Sequence, residues 1–171
     1  MGLFQILLVG HLIADFPLQT PTILRWKFKG GLWVLPHVFI HAAVLTLLVR
    51  NPFMVTVIVL THFFIDWAKV ALDDNSRQGL SFLMDQLAHL SVLWLVAQYG
   101  NLVGPQLALD NLPYILALAL ISAVFMFLNV VKGQITASPL SHAVCKYAFH
   151  VSKAAGWSAV FILLFSILIP R

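Results

Sequence analysis

Charged residues are scarce in this sequence, and one acidic type is missing altogether. Of the 171 residues only 9% are charged and 61% are hydrophobic, and the chain contains no glutamate. Soluble domains carry about 25% charged residues, so this composition excludes a soluble globular domain and indicates an integral membrane protein. A single cysteine, Cys145, excludes an internal disulfide bond and a metal site built from several thiolates.

What the sequence has in abundance is apolar runs close to the roughly 20 residues that a membrane-spanning helix needs. They predict six membrane segments, with a helix from Leu140 lying at the membrane interface before the last one. The segments are Gly2–Phe16, Leu32–Val49, Pro52–Leu72, Gly79–Tyr99, Leu112–Val131 and Phe149–Ile169. The predicted fold class is therefore all-α, a polytopic transmembrane helical bundle. We expect one membrane domain over residues 1–171, with a four-helix core in 1–99 and two further helical segments in 100–171.

The basic residues are too scattered for a nucleic-acid surface, and in a membrane protein they report orientation instead. Eight of the ten follow the first, third or fifth segment, and two lie on the opposite side. The eight are Arg25, Lys27, Lys29, Lys69, Arg77, Lys132, Lys146 and Lys153, and the two are Arg50 and Arg171. Because basic loops stay in the cytoplasm, we predict a multi-pass protein with both termini on the non-cytoplasmic side.

Histidine and aspartate recur as pairs spaced i,i+4 in the first four segments. The pairs are His11 and Asp15 in "HLIAD", His37 and His41 in "HVFIH", His62 and Asp66 in "HFFID", and Asp85 and His89 in "DQLAH". This spacing puts both side chains of a pair on one helix face, about 6 Å apart along the helix axis.

The pairs also agree in depth. With the predicted topology, Asp15, His37, Asp66 and Asp85 lie near the cytoplasmic ends of their helices, and the other four histidines lie one turn deeper. We therefore expect two stacked polar layers inside the bundle. The topology was assigned from the basic loops alone, so this agreement in depth is independent support for the clustering.

A metal centre explains the pairs best. An unpaired aspartate in a membrane helix costs about 2.5–3.5 kcal/mol, and carboxylate and neutral imidazole are both metal ligands. Eight ligand candidates suit two divalent ions of zinc, manganese or iron, held between facing helices. The predicted ligands are His11, Asp15, His37, His41, His62, Asp66, Asp85 and His89.

The chemistry of such a centre is hydrolytic or oxidative, and the aspartates favour hydrolysis. His11 and Asp15 are the predicted catalytic residues, with His11 acting as a ligand or as a general acid and base. Because the site lies just below the cytoplasmic headgroups, the expected substrate is a lipid or a lipid-linked molecule. Predicted headgroup contacts are Arg25, Lys27, Lys69 and Lys146, although the segment "RWKFK" is also typical of an interfacial anchor.

Two other functions stay open at this point. The histidines of an accessory subunit in a larger membrane complex, photosynthetic or respiratory, would bind haem or chlorophyll or hold helices together. An ion or proton carrier would use the same polar residues as a pathway. Membrane lipids are the expected partners in every case.

The ordered motifs "HLIADFPLQT", "HVFIH", "THFFIDWAK" and "FLMDQLAHL" resemble the DUF3307 family of small bacterial membrane proteins. The resemblance covers Leu3 to Leu95. It implies a polytopic helical protein of the bacterial inner membrane and carries no activity with it. The chain is also distantly similar to membrane proteins labelled metal-dependent hydrolases, which likewise place histidine and aspartate at helix ends.

Overall fold

The computed structural model describes residues 2–72, 78–100, 111–131 and 139–169, and for residue 78 and residues 139–146 it describes the backbone alone. Within these ranges every regular element is a helix, as the all-α prediction requires. In chain order they are α1 (Leu3–Asp15), α2 (Pro21–Lys27), a 3-10 turn (Gly31–Val34), α3 (Leu35–Leu48), α4 (Pro52–Leu72), α5 (Gln78–Gly100), α6 (Leu112–Val131) and α7 (Pro139–Leu168).

Proline and capping residues explain several of these boundaries. Pro17 follows the end of α1, because a proline cannot donate the backbone hydrogen bond that would continue a helix. Pro21 and Pro52 lie in first turns, where that donor is not needed. The residues just before them, Thr20 and Asn51, accept a hydrogen bond from the backbone N–H three positions later, at 3.3 and 3.2 Å.

Most residues of the short helix α2 are exposed. Lys27 is its one buried residue. After it, Gly30 and Gly31 have φ angles of 72° and 56°, a region that residues with a side chain rarely adopt. These glycines turn the chain into α3, so that α2 lies across one end of the bundle, beside α3.

Helix α1 lies at the centre of the molecule. Ten of its 13 residues are buried, and it packs against α3, α5, α6 and α7. At 1.5 Å per residue it is about 20 Å long, shorter than the roughly 30 Å hydrocarbon core. The predicted first membrane segment is thus a short apolar helix enclosed by its neighbours.

The described residues include five helices that are long and apolar enough to cross a membrane. They are Gly31–Leu48, Pro52–Leu72, Gly79–Gly100, Leu112–Val131 and Tyr147–Leu168. Large apolar side chains such as Phe39, Phe53 and Phe161 are exposed on their outer faces, as lipid contact requires. The chain is a helical membrane protein.

The last of these spans belongs to a longer element than the sequence predicts. The predicted interfacial helix from Leu140 and the final membrane segment are continuous, forming α7 with 30 residues.

Small residues let α6 and α7 approach each other and the end of α1. Ser122 and Ser152 each donate a hydrogen bond to the other's backbone carbonyl at 2.8 Å. One turn along α7 from Ser152, a Cβ on Gly156 would lie 2.8 Å from both Pro17 and Ser122. The two C-terminal helices therefore hold the segment just after α1 in place.

The half of the bundle away from α2 is apolar. Leu3, Leu7, Leu45 and Leu48 belong to its buried core. Gly10 brings α1 close to α3, since a Cβ there would lie 3.1 Å from Leu48 and 3.2 Å from Leu45. The buried histidines and aspartates lie in the other half.

Candidate metal centre

Four helices bring all eight predicted ligands into one cluster. Helices α1, α3, α4 and α5 each contribute one i,i+4 pair, and each of the eight residues is at most 7% exposed. They are His11, Asp15, His37, His41, His62, Asp66, Asp85 and His89.

Four imidazole rings form the deeper part of the cluster. Ring centroids are 3.6 Å apart for His41 and His62 and 4.2 Å apart for His62 and His89. The ring of His11 lies 5.0 Å from that of His89 and 5.4 Å from that of His41. The rings are in direct contact, as expected if the four histidines share one depth.

Three imidazoles converge on one carboxylate oxygen of Asp15, and a fourth, that of His11, lies 3.4 Å from the other oxygen. Oδ1 of Asp15 lies 2.8 Å from Nε2 of His41, 3.0 Å from Nε2 of His37 and 3.9 Å from Nε2 of His62. The Nε2 atoms of His37 and His62 are 3.2 Å apart. Asp15, His37, His41 and His62 form a group whose ligand atoms all lie within 4.8 Å of one another.

His62, Asp66 and His89 form a second such group, which shares His62 with the first. Oδ2 of Asp66 faces the first group, 3.3 Å from Nε2 of His62 and 3.5 Å from Nε2 of His37. Oδ1 of Asp66 faces the other way, 3.9 Å from Nε2 of His89. The carboxylate therefore lies between two positions, as a bridging ligand would.

His89 is held in one orientation by its own helix. Its Nδ1 donates a hydrogen bond to the backbone carbonyl of Asp85 at 2.8 Å. If the ring is neutral, the proton on Nδ1 leaves Nε2 with a free lone pair, and this buried Nε2 has no hydrogen-bond partner among the described residues. Such a fixed tautomer is typical of metal-binding histidines. His37 and His41 differ, because their buried Nδ1 atoms lack a partner in the same part of the chain.

Two lysines neutralise two of the three aspartates. Nζ of Lys27 lies 2.6 Å from Oδ1 of Asp66, and Nζ of Lys69 lies 3.0 Å from Oδ2 of Asp85. Burial disfavours the charged form of Lys27, but the carboxylates of Asp66, Asp15 and Asp85 outweigh it and raise the pKa of Lys27. Among the described residues, Asp15 is left without a lysine.

Gln86 links Asp15 to Asp85 through its side-chain amide. Its side-chain Nε2 donates to Oδ2 of Asp15 at 3.3 Å and to Oδ2 of Asp85 at 3.2 Å. Its Oε1 lies 3.4 Å from Nε2 of His11. Gln86 therefore fixes where these carboxylates point, and it lines the cavity described next.

A cavity of about 770 Å³ reaches the cluster from the side of α2. Its polar lining residues include Asp15, Lys27, Lys69, Asp85, Gln86 and Asn129. Its apolar lining residues include Leu24, Phe28, Phe82, Met126 and Val130. The volume lies in the range of about 300–1,000 Å³ that small-molecule sites occupy.

The distances around Asp15 fit a metal ion. Bond lengths of about 2.0–2.1 Å in a tetrahedral site place ligand atoms about 3.3–3.4 Å apart, and the four separations among these atoms given above range from 2.8 to 3.9 Å. Six of the eight predicted ligands belong to the two groups, while His11 and Asp85 lie beside them. The buried groups can thus hold a metal ion.

The four predicted headgroup contacts lie in different surroundings. Lys27 and Lys69 point into the cavity and pair with aspartates, whereas Arg25 is exposed on α2, 3.4 Å from the hydroxyl of Thr22. The side chain of Lys146 lies outside the described residues. Lys153, which is not among the four predicted headgroup contacts, reaches the end of α1 from α7.

The fold and the cluster define a polytopic helical membrane protein with a buried histidine and aspartate centre. The chain belongs to a family described as a protein of unknown function (DUF3307), whose model matches residues 3–118. The matched part includes all eight cluster residues and ends within α6, before α7. Neither the curated proteins nor the solved structures include a match to this chain.

Proposed function

We propose that this protein is a metal-dependent hydrolase that acts on a lipid or a lipid-linked substrate at the cytoplasmic leaflet. The observation that carries the proposal is the convergence of three imidazole Nε2 atoms on one carboxylate oxygen of Asp15, at 2.8, 3.0 and 3.9 Å. A cavity leads to this carboxylate.

Hydrogen bonding alone accounts poorly for that convergence. A carboxylate oxygen has two lone pairs, so His37 and His41 already satisfy Oδ1 of Asp15. Nε2 of His62, which also lies 3.2 Å from Nε2 of His37 and 3.3 Å from Oδ2 of Asp66, is a third nitrogen beside an oxygen that has no lone pair left for it. Asp15 is also the aspartate that no described lysine neutralises. A divalent cation at this point supplies the missing charge and accepts all four ligand atoms.

The ligand set narrows the choice of ion. Three nitrogens and one oxygen suit zinc, manganese or iron. Four protein ligands would fill every position of a tetrahedral ion and leave none for a water molecule or the substrate. Catalysis therefore requires zinc in its five-coordinate form or a six-coordinate manganese or iron ion. A bound ion of this kind lowers the pKa of a water molecule and polarises a phosphoryl or ester oxygen.

The residues of the cavity provide the remaining functions. Lys69 and Lys27 offer positive charge to an anionic headgroup, and Gln86 holds Asp15 and Asp85 in position. Asp15 and Asp85 border the cavity and can accept a proton from a nucleophile. His11 does not line the cavity, and its Nε2 lies 3.4 Å from both Oε1 of Gln86 and Oδ2 of Asp15, so its predicted catalytic role would be exerted through Asp15.

The mixed lining of the cavity favours an amphiphilic substrate. It combines charged residues of the cluster with apolar side chains from α2, α5 and α6, two of which are membrane-spanning helices. A lipid headgroup would lie near the charged residues and its acyl chain along the apolar side chains.

Haem and chlorophyll fit the histidines less well. The rings of His41 and His62 are 3.6 Å apart, and the Nε2 atoms of His37 and His62 are 3.2 Å apart. No tetrapyrrole fits between imidazoles at this distance. A carrier is also disfavoured, because the described core beyond the histidines is apolar and buried, so that the polar path ends at the cluster.

Metal analysis of the purified full-length protein tests the first part of the proposal. We expect a stoichiometric divalent ion in the wild type and its loss in His62→Ala, because His62 belongs to both ligand groups. His150→Ala is the matched control, since His150 is exposed on α7. Absence of a stoichiometric ion from the wild type would falsify the proposal.

Product analysis tests the second part. The protein is reconstituted in vesicles of mixed bacterial phospholipids, and released headgroups and fatty acids are measured by mass spectrometry. We expect products with the wild type and the His150→Ala variant and none with His62→Ala. A metal-loaded protein that releases nothing from these vesicles would favour the accessory-subunit alternative.

A further inference from the structure

The three buried aspartates have three different surroundings. Asp85 is paired with Lys69 and Asp66 with Lys27, whereas Asp15 has no lysine beside it among the described residues and faces imidazoles. If one divalent ion lies at Asp15, as proposed above, each aspartate has one cation beside it.

Lys27 contacts the carboxylate oxygen that a second ion would use. Asp66 turns Oδ2 toward the Asp15 group and Oδ1 toward His89, which is the arrangement of a carboxylate that bridges two metals. The ammonium of Lys27 lies 2.6 Å from that same Oδ1. The nearby Nε2 of His89 is buried and has no hydrogen-bond partner among the described residues.

We propose that the ammonium of Lys27 takes the position of the second metal, so that the centre holds one divalent ion and one lysine. The inference rests on the proposed metal site and specifies how many ions it binds. It replaces the two ions expected from the sequence.

The attachment of α2 supports this role. Lys27 is the one buried residue of α2, and the helix is followed by the two glycines with positive φ. The ion pair with Asp66 therefore holds α2 against the cluster, where α2 also forms part of the cavity wall. In this arrangement a second metal and the docked α2 exclude each other.

The test counts zinc ions in full-length protein that has been loaded with excess Zn²⁺ and freed of unbound metal. We expect one ion per chain in the wild type and in Lys27→Arg, which keeps the charge. We expect two in Lys27→Met, and one again in the Lys27→Met/His89→Ala double variant. The matched control is Lys29→Met, because Lys29 is exposed and its Nζ lies over the ring of Trp33 at 4.6 Å.

The outcomes separate the two proposals. No bound zinc in the wild type removes the metal site and this inference with it. Two ions in the wild type, or one in Lys27→Met, leave the metal site intact and overturn the role of Lys27.

A measurement on the wild type covers the case in which Lys27→Met does not fold. Lysines are acylated with a membrane-permeant reagent at increasing Zn²⁺ and located by mass spectrometry. We expect Lys29 to react and Lys27 to stay protected even in excess zinc. Reaction of Lys27 as zinc rises would show that a second ion displaces it, and would overturn the inference.

Discussion

Lys153 donates a hydrogen bond from Nζ to the backbone carbonyl of Phe16 at 3.0 Å, across 137 positions of the chain. A second carbonyl, that of Gln19, lies 3.4 Å from the same Nζ. The last carbonyls of a helix lack partners within it, and Pro17 ends α1 at this point. A cation from α7 thus stabilises the end of the helix that carries His11 and Asp15.

Replacing Lys153 with methionine removes that contact and keeps most of the apolar stem. We expect the free energy of unfolding to fall by about 1–2 kcal/mol, measured by denaturant-induced unfolding in detergent micelles. Lys153→Arg should recover most of the loss, because it restores the charge and the donors. The exposed Lys29→Met variant should behave like the wild type, and an equal loss in both methionine variants would contradict the assignment.

Gly156→Ala should destabilise the protein more than Gly10→Ala. At Gly156 the new methyl group would lie 2.8 Å from Pro17 and Ser122, and proline cannot move aside easily. At Gly10 the contacts of 3.1 and 3.2 Å are with the flexible ends of leucines, and alanine gains up to about 1 kcal/mol in helix propensity. We expect a loss of about 1–3 kcal/mol at Gly156 and little change at Gly10. Unfolding curves of both variants measure the order, and the reverse order would be inconsistent with this packing.

Asp15→Asn and Asp85→Asn should differ in metal affinity although both lie at the same depth. Asp15 belongs to the four-ligand group, whereas Asp85 pairs with Lys69 and lies outside both groups. Loss of an outer partner costs about 10–100-fold in metal affinity, so loss of a ligand at Asp15 should cost at least about 100-fold. Zinc titration against a competing chelator compares the variants. Equal losses of zinc affinity would show that Asp85 is a metal ligand, as the sequence predicts, and not an outer residue.

The cavity should hold an amphiphile, and a photoreactive side chain can capture it. Met126 borders the cavity, while Val124, on the same helix, is 55% exposed. A photoreactive amino acid at position 126 should crosslink a subset of the membrane lipids with a shared headgroup. At position 124 it should crosslink lipids in their bulk proportions. Identical lipid profiles at both positions would speak against a selective site.

Much of this molecule follows from the sequence because two periodic signals are strong. Apolar run length places α3 to α6 within a few residues of their predicted bounds. The i,i+4 spacing places His62 and Asp66 on the same face of α4, and the shared depth of four such pairs predicts that they meet. Family membership, predicted from the same motifs, is confirmed over residues 3–118.

The parts that the sequence did not predict depend on contacts between distant segments. Lys27 was assigned to lipid headgroups because its neighbours in "RWKFK" are typical of a membrane interface, and those neighbours are in fact exposed. Its inward position depends on the turn at Gly30 and on Asp66, which lies 39 positions later in the chain. No local sequence pattern predicts the contact of Lys153 with Phe16, because the two residues lie 137 positions apart and the residues around each give no sign of the pairing.

The enclosed position of α1 has a consequence for how the molecule is assembled. α1 precedes the other described helices in the chain, yet α3, α5, α6 and α7 supply its surroundings. A helix about 20 Å long that carries a histidine and an aspartate is unstable in the lipid bilayer on its own, because burying these polar side chains in lipid costs free energy. We therefore expect the packing of α1 to be complete only after α7 has entered the bilayer. A chain truncated before α7 would contain all eight cluster residues but would lack part of the packing around α1. We expect such a chain to be degraded by quality-control proteases.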